Sequence, residues 1–284
     1  MGRDAGTVPQ SLVWATDLDV LPLDKVVERR DGHLHVRSPT NPVHYWGNLL
    51  LLDDAPVAGD GERWEALFDS AFADEPRVRH RTFAWDRADG TTGAAAEEFV
   101  ARGYELEETV GLVAERPGRH PRENRDVVVR SLDPTGDEEL WDAVLELQVA
   151  GRDEGHDEET HRSFMLARVR DWRALLVEGR GAWYVALEPG SGELAGSCGV
   201  VVTDGRGRFQ AVEVAAAHRR RGIASRLVAE AAERARADDG AERFVIVAEA
   251  GYHALGLYES LGFERREHCF GVCRWPHAGR TPAP

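Results

Sequence analysis

The chain has 284 residues, 50 Asp and Glu against 35 Lys and Arg, a formal charge of −15, and 42% hydrophobic residues. That length accommodates two domains of ordinary size with ample core. The acidic balance argues against a general nucleic-acid binder, whose affinity needs clustered Lys and Arg, and no apolar run reaches the roughly 18 residues that span a membrane.

In chain order, residues 1–10 read as a flexible leader. They lack an apolar signal core, and Gly6 stands where a myristoylation motif wants Ser or Thr, so the cytoplasm is the expected compartment. A first domain is expected over 11–117, with strands at 26–38, 45–52 and 78–85, a helix at 62–72, a second helix at 93–102 and a strand at 106–115. Asn41-Pro42 and Asp89-Gly90 are turn signals. Pro, Gly and charge mark 118–125 as a linker. The second domain, 126–275, reads as a strand (127–131), a helix (138–149), an acidic loop (151–160), a helix (162–178) and two strands (182–187, 194–202). Then come a strand–turn–helix from 209, a strand at 243–248, a short helix around Tyr258 and a strand at 264–274. A flexible tail, 276–284, closes the chain. Antiparallel strands followed by a helical crossover give an α/β fold, α+β layered, with a mixed central sheet flanked by helices.

The strand–turn–helix carries most of the chemistry. An apolar strand, 209–214, leads into Arg219, Arg220, Arg221 and Gly222, and the helix beyond has Ala224, Leu227, Val228, Ala231, Ala232 and Ala235 on one face. The first N–H groups of a helix have no intrahelical partner and sit at the positive end of its dipole, so this arrangement is an anion cradle. Gly222 lets a phosphate approach the backbone, because no Cβ intervenes. Taken alone, the turn also reads as a solvated basic loop. Some 30 residues on, Ala254, Leu257, Tyr258 and Leu261 share a second helical face that Gly262 terminates.

The spacing of Arg219, Gly222 and Ala224, followed by Ala254, Leu257, Tyr258, Leu261, Gly262 and Phe263, resembles the GNAT superfamily of acyl-CoA-dependent N-acyltransferases. The resemblance covers about half the chain, 126–275. Gly103-Tyr104-Glu105 echoes Gly262-Phe263-Glu264 and places Phe99 where the second copy has Tyr258. A tandem of two GNAT-like domains is therefore expected. The first is degenerate: it lacks the arginine turn, and its nearest counterpart, Gly59-Asp60-Gly61, is acidic where a phosphate would sit.

The resemblance implies acetyl-CoA as acyl-donor cosubstrate, with Arg219, Arg220, Arg221, Gly222, Ile223, Ala224 and Ser225 holding its pyrophosphate and the backbone of Val212 and Val214 pairing with its pantetheine arm. It implies Tyr258 as general acid, since a phenol of pKa about 10 can protonate a departing thiolate. Taken alone, Tyr258 also reads as a core tyrosine of an amphipathic helix. The base stays open. Many members carry a glutamate near the position of Gln210, which cannot act as one. Glu213 is the candidate if a bulge brings it to the same face; Glu249 and a water chain are the others. Gly251 stands where an asparagine that contacts the cofactor is common. The acids Asp153, Glu154, Asp157, Glu158 and Glu159 border the expected acceptor site and would draw a cationic amine, or are simply a solvated loop.

Cys269 and Cys273 fall in an apparent strand without the remaining ligands of a zinc site, and His156 and His161 have no ligand spacing, so no metal is expected. With no cysteine in a nucleophile setting, direct attack in a ternary complex is expected. The expected acceptor is a primary amine of a small cationic molecule whose identity stays open, with no nucleic acid or membrane partner and a homodimer left open. The rival reading is a non-catalytic acyl-CoA-binding or scaffold protein, with acyl-CoA hydrolysis a distant third.

Overall fold

The computed structural model describes residues 5–152 and 157–275. Residues 1–4 of the leader, Asp153, Glu154 and His156 of the acidic loop, and the tail 276–284 lie outside the described residues. The elements are α1 (Leu12–Asp19), β1 (Val26–Arg30), β2 (His33–Arg37), β3 (Leu49–Leu52), α2 (Asp60–Ala71), β4 (Arg81–Trp85), α3 (Ala95–Ala101) and β5 (Glu105–Ala114). They continue with β6 (Val128–Ser131), α4 (Glu138–Ala150), α5 (Glu158–Val177), β7 (Gly181–Leu187), β8 (Leu194–Thr203), β9 (Arg206–Val214), α6 (Ile223–Asp238), β10 (Arg243–Glu249), α7 (Leu255–Ser260) and β11 (Glu264–Arg274).

The chain forms two compact units, one of Met1–Ala15, Asp24–Thr109 and Glu267–Pro284, the other of Thr16–Leu23 and Val110–Arg266. Each is discontinuous in sequence. The last strand of the chain belongs mostly to the first unit, the end of β5 belongs to the second, and residues 118–125 lie within the second.

In the first unit β1 and β2 form a hairpin where the sequence suggested one strand, because Gly32 turns the chain at φ +74°. β2 and β3 are antiparallel, β3 and β4 parallel through Leu50↔Phe83 to Leu52↔Trp85, and β4 pairs antiparallel with β11 through Phe83↔Val272. All four leucines of β3 are buried, as a strand covered on both faces requires. A short 3-10 turn, Tyr45–Gly47, stands where a strand was expected to begin at 45. Over the sheet, α2 and α3 bring Trp64, Phe68 and Phe99 against Phe83 and Trp85. Of the expected leader, residues 5–7 form a 3-10 turn and Gln10 N–H donates to Asp86 at 2.6 Å. The helix α1 has no counterpart in the sequence reading. Cys269 and Cys273 are buried beside Ser11 Oγ (3.3 Å) and Thr82 Oγ1 (3.1 Å), and all three cysteines are free thiols.

In the second unit β6, β7, β8 and β9 run antiparallel in sequence order, β10 is parallel to β9, and β5 lies beside β10. One face carries α4 and α5, through Trp141, Trp172 and Trp183, with ring centroids of Trp172 and Trp183 4.5 Å apart. Gly199 permits this: a Cβ there would come within 2.4 Å of the Trp183 ring. The other face carries α6 and α7, whose Leu227, Val228, Ala231, Ala232, Ala235 and Tyr258 pack on Phe209 and Phe244. Small residues on α6 let it lie close to the strands, so enlarging one costs on the order of 1–3 kcal/mol in overpacking. Helix α5 begins four residues before the expected start, because Asp157 caps it by accepting from Thr160 N–H at 2.9 Å.

Candidate functional site

Strand β9 is built in two halves. Its first half pairs with β10 from Arg206↔Arg243 to Arg208↔Val245; the pairing stops there, although the strands run on to Val214 and Glu249. The two therefore diverge into a wedge whose backbone groups are free to pair with an extended ligand. In the second half Ser197↔Glu213 and Gly199↔Gln210 leave Cys198 of β8 facing two residues of β9, Ala211 and Val212. That is a β-bulge, with Ala211 at φ +47° and its carbonyl held by Gln148 Nε2 at 3.2 Å. The extra residue puts Glu213 on the face of Gln210, the condition on which its candidacy as base depended. Gln210 itself is engaged: its Oε1 accepts from the buried Arg168 at 3.3 Å, and its Nε2 donates to Phe209 O at 2.9 Å. Burial lowers the pKa of Arg168 to about 10.

Glu213 and Arg219 close an ion pair at the end of β9. Arg219 Nη2 donates to Glu213 Oε1 at 3.0 Å, Arg219 Nε donates to Val214 O at 3.1 Å, and Val214 N–H donates to Glu213 Oε1 at 3.2 Å. Arg221 turns away toward Glu188 Oε1 (2.8 Å) and His218 Nδ1 (2.7 Å), and among the described residues Arg220 makes no ion pair. Gly222, at φ +77°, is the N-cap of α6. The chain itself requires a glycine here: a Cβ would lie 2.2 Å from Arg122 O, and Gly222 O accepts from Asn124 N–H at 3.1 Å. Glu123 ties this same segment to Arg226 at 3.8 Å. Ile223 and Ser225 are buried and Ala224 half-buried, which anchors α6 with its first N–H groups at the mouth of the wedge.

Tyr258 is 3% exposed on the short helix α7, beside Leu255, Leu261 and Phe263. Burial raises its pKa above the ordinary phenol value, with Tyr252, Cys198 and Glu213 adding to the shift. Among the described residues its hydroxyl makes no hydrogen bond to the protein. The phenol thus stays protonated in the mildly alkaline range where amines lose their proton. Glu249, the last residue of β10, and Gly251 beyond it are both exposed. Of the loop acids expected to border an acceptor, Asp157 caps α5 and Glu158 pairs with Arg152 at 2.8 Å, while Glu159 is exposed. No group of metal ligands occurs among the described residues. Arg168, Gln148, Glu188 and His218 carry no motif, and sequence reasoning missed them.

The model of the acetyltransferase (GNAT) family matches residues 141–263, which contain the bulged strand, the turn, α6 and α7. Residues 141–263 form a GNAT acetyltransferase domain. Members of this family use acyl-CoA, usually acetyl-CoA, as acyl donor. Among solved structures, a conserved protein of unknown function from Staphylococcus epidermidis is 13% identical over 89% of this chain and 94% of its own, with a TM-score of 0.69. A GCN5-related N-acetyltransferase from Kribbella flavida is 15% identical over 96% of each chain, with a TM-score of 0.63. A tandem GNAT protein from the clavulanic acid biosynthesis pathway is 16% identical over 94% of this chain and 90% of its own, with a TM-score of 0.53. At these identities the likeness is one of fold, and in all three it extends over most of the chain. No curated protein matches the chain. No helix among the described residues is long and apolar enough to cross a membrane.

Proposed function

We propose that the second unit transfers an acetyl group from acetyl-CoA to the primary amine of a small cationic molecule in a ternary complex. The observation that carries this reading is the β9–β10 wedge, with the head of α6 at its mouth and the bulge that turns Glu213 to the face of Gln210. The N–H groups that open α6, with Arg219 and Arg220, suit a pyrophosphate. The backbone of Val212 and Val214 suits the pantetheine arm.

In the reaction the amine nitrogen bonds to the thioester carbonyl carbon and the carbon–sulfur bond breaks. Glu213 takes the proton lost by the amine, and Tyr258 gives one to the leaving thiolate. The cysteines are buried, and burial raises the thiol pKa of Cys198, so a covalent acyl-enzyme has no support.

The test is release of free CoA from acetyl-CoA across a panel of amines, in wild type and Tyr258→Phe. Amine-dependent release that falls tenfold or more in the variant supports transfer and its acid. Binding of acetyl-CoA without release by any amine would turn the reading toward a non-catalytic acyl-CoA-binding protein.

A further inference from the structure

Both polar groups of Val214 are capped by one ion pair. Its N–H donates to Glu213 and its C=O accepts from Arg219, while Arg219 also holds the same Glu213 oxygen. Val214 ends β9. Ala215 N–H bonds back to Ala195 O at 3.0 Å, so by alternation Val214 directs its own groups away from β8 and into the wedge. One pair therefore engages three components of the proposed site: the candidate base, a phosphate ligand and the strand edge meant for the pantetheine arm.

The pair is easily exchanged. The Arg219 side chain is 54% exposed and that of Glu213 20%, and an ion pair this open contributes little. A pyrophosphate offers more charge and bidentate geometry, with the start of α6 and the unpaired Arg220 beside it. Arg221 is not equivalent, since it is already held by Glu188 and His218.

The geometry points to a coupled exchange at Arg219: the donor's phosphates draw its guanidinium off Glu213 and Val214, so that the base and the strand edge become available only once the donor is bound. This rests on the acyl-CoA reading above. Arg219 is then a positioning residue that ties proton acceptance to donor occupancy. Without donor, Glu213 Oε1 is engaged by both Arg219 and the Val214 N–H. With donor, that oxygen loses its strongest partner.

Calorimetric titration of coenzyme A into the full chain, with no amine present, tests the exchange. Glu213→Gln keeps an acceptor for the Val214 N–H but frees Arg219, and is expected to bind coenzyme A about three- to tenfold more tightly than wild type. Arg219→Gln is expected to bind more weakly. In that background a further Glu213→Gln should change affinity by less than about twofold. Unchanged or weaker binding by Glu213→Gln overturns the exchange while leaving the acyl-CoA reading intact. So does equal tightening in both backgrounds, which would be a simple charge effect. Absence of any binding by wild type overturns both. Melting curves of the ligand-free variants show whether each is folded.

Discussion

Glu98 lays its carboxylate across the start of α2, accepting from Gly61 N–H through one oxygen and from Gly59 N–H through the other, both at 2.8 Å. The helix start that the proposed function assigns to a phosphate in the second unit is, in the first, filled by the chain's own anion. Glu98→Ala is expected to cost about 1–2 kcal/mol in urea denaturation, the loss of a helix cap. Coenzyme A should bind wild type once per chain. A stoichiometry of two would show that the first unit still holds the cofactor.

Phe99 and Tyr258 are the same position of a repeat. Tyr104 N–H donates to Phe99 O at 3.0 Å as Phe263 N–H does to Tyr258 O at 3.2 Å, and Gly103 and Gly262 follow at φ +83° and +89°. Tyr258→Phe makes the second copy match the first. It should lower kcat tenfold or more yet change stability by less than about 0.5 kcal/mol, since the hydroxyl has no protein partner to lose. Phe99→Tyr should cost about 1–3 kcal/mol, because Phe99 is fully buried against Trp64, Phe83 and Tyr104 and leaves a new hydroxyl no water.

These two repeats also show what could be read without coordinates. The Gly-aromatic-Glu triplets, the arginine turn and the periodic alanines of α6 are local patterns, and the turn, the helix and the repeat follow from them. The bulge at Ala211 is not local: it depends on Cys198 opposite and Gln148 behind, so strand alternation alone left Glu213 undecided. The sequence marks Gly222 by its place in the turn, but not its close neighbour Arg122, a hundred residues earlier. The pairing of Arg219 and Arg221 with carboxylates was equally invisible, because nothing in a run of three arginines says which of them the fold will neutralise.

Glycine substitutions separate these causes. Gly222→Ala must adopt a left-handed backbone, costing about 1–2 kcal/mol, and must also push back the 122–124 backbone. It should lower Tm by several degrees even without coenzyme A. Gly256, within α7, has nothing within 4 Å of its Cβ position. Gly256→Ala should stabilise by about 0.5–1 kcal/mol, and a loss of stability there would mean that α7 requires glycine for another reason.

His80 lies buried in the first unit with its Nε2 3.0 Å from Asn48 O, and burial lowers its pKa to about 4. Below its ordinary value near 6.5 the unfolded chain takes up a proton that the folded chain refuses until about pH 4. Stability should therefore be complete above pH 6.5 and decline as pH falls toward 4, by on the order of 2–3 kcal/mol for this residue. His80→Gln keeps a donor for Asn48 and removes the titration. The gap in unfolding free energy between wild type and variant should narrow or reverse between pH 7 and 4.5, and a gap constant over that range would show that His80 does not contribute.

The last strand of the chain pairs with β4 in the first unit, through Phe83↔Val272 and Ala84↔Gly271. During synthesis, then, β4 (Arg81–Trp85) emerges long before β11 (Glu264–Arg274), and the edge of its sheet stays unpaired until β11 has followed. Such an edge invites association with other chains, and the first unit stays unfinished while the residues between β4 and β11 are made. Cutting the gene between the units would give two fragments, each carrying a strand that the other needs.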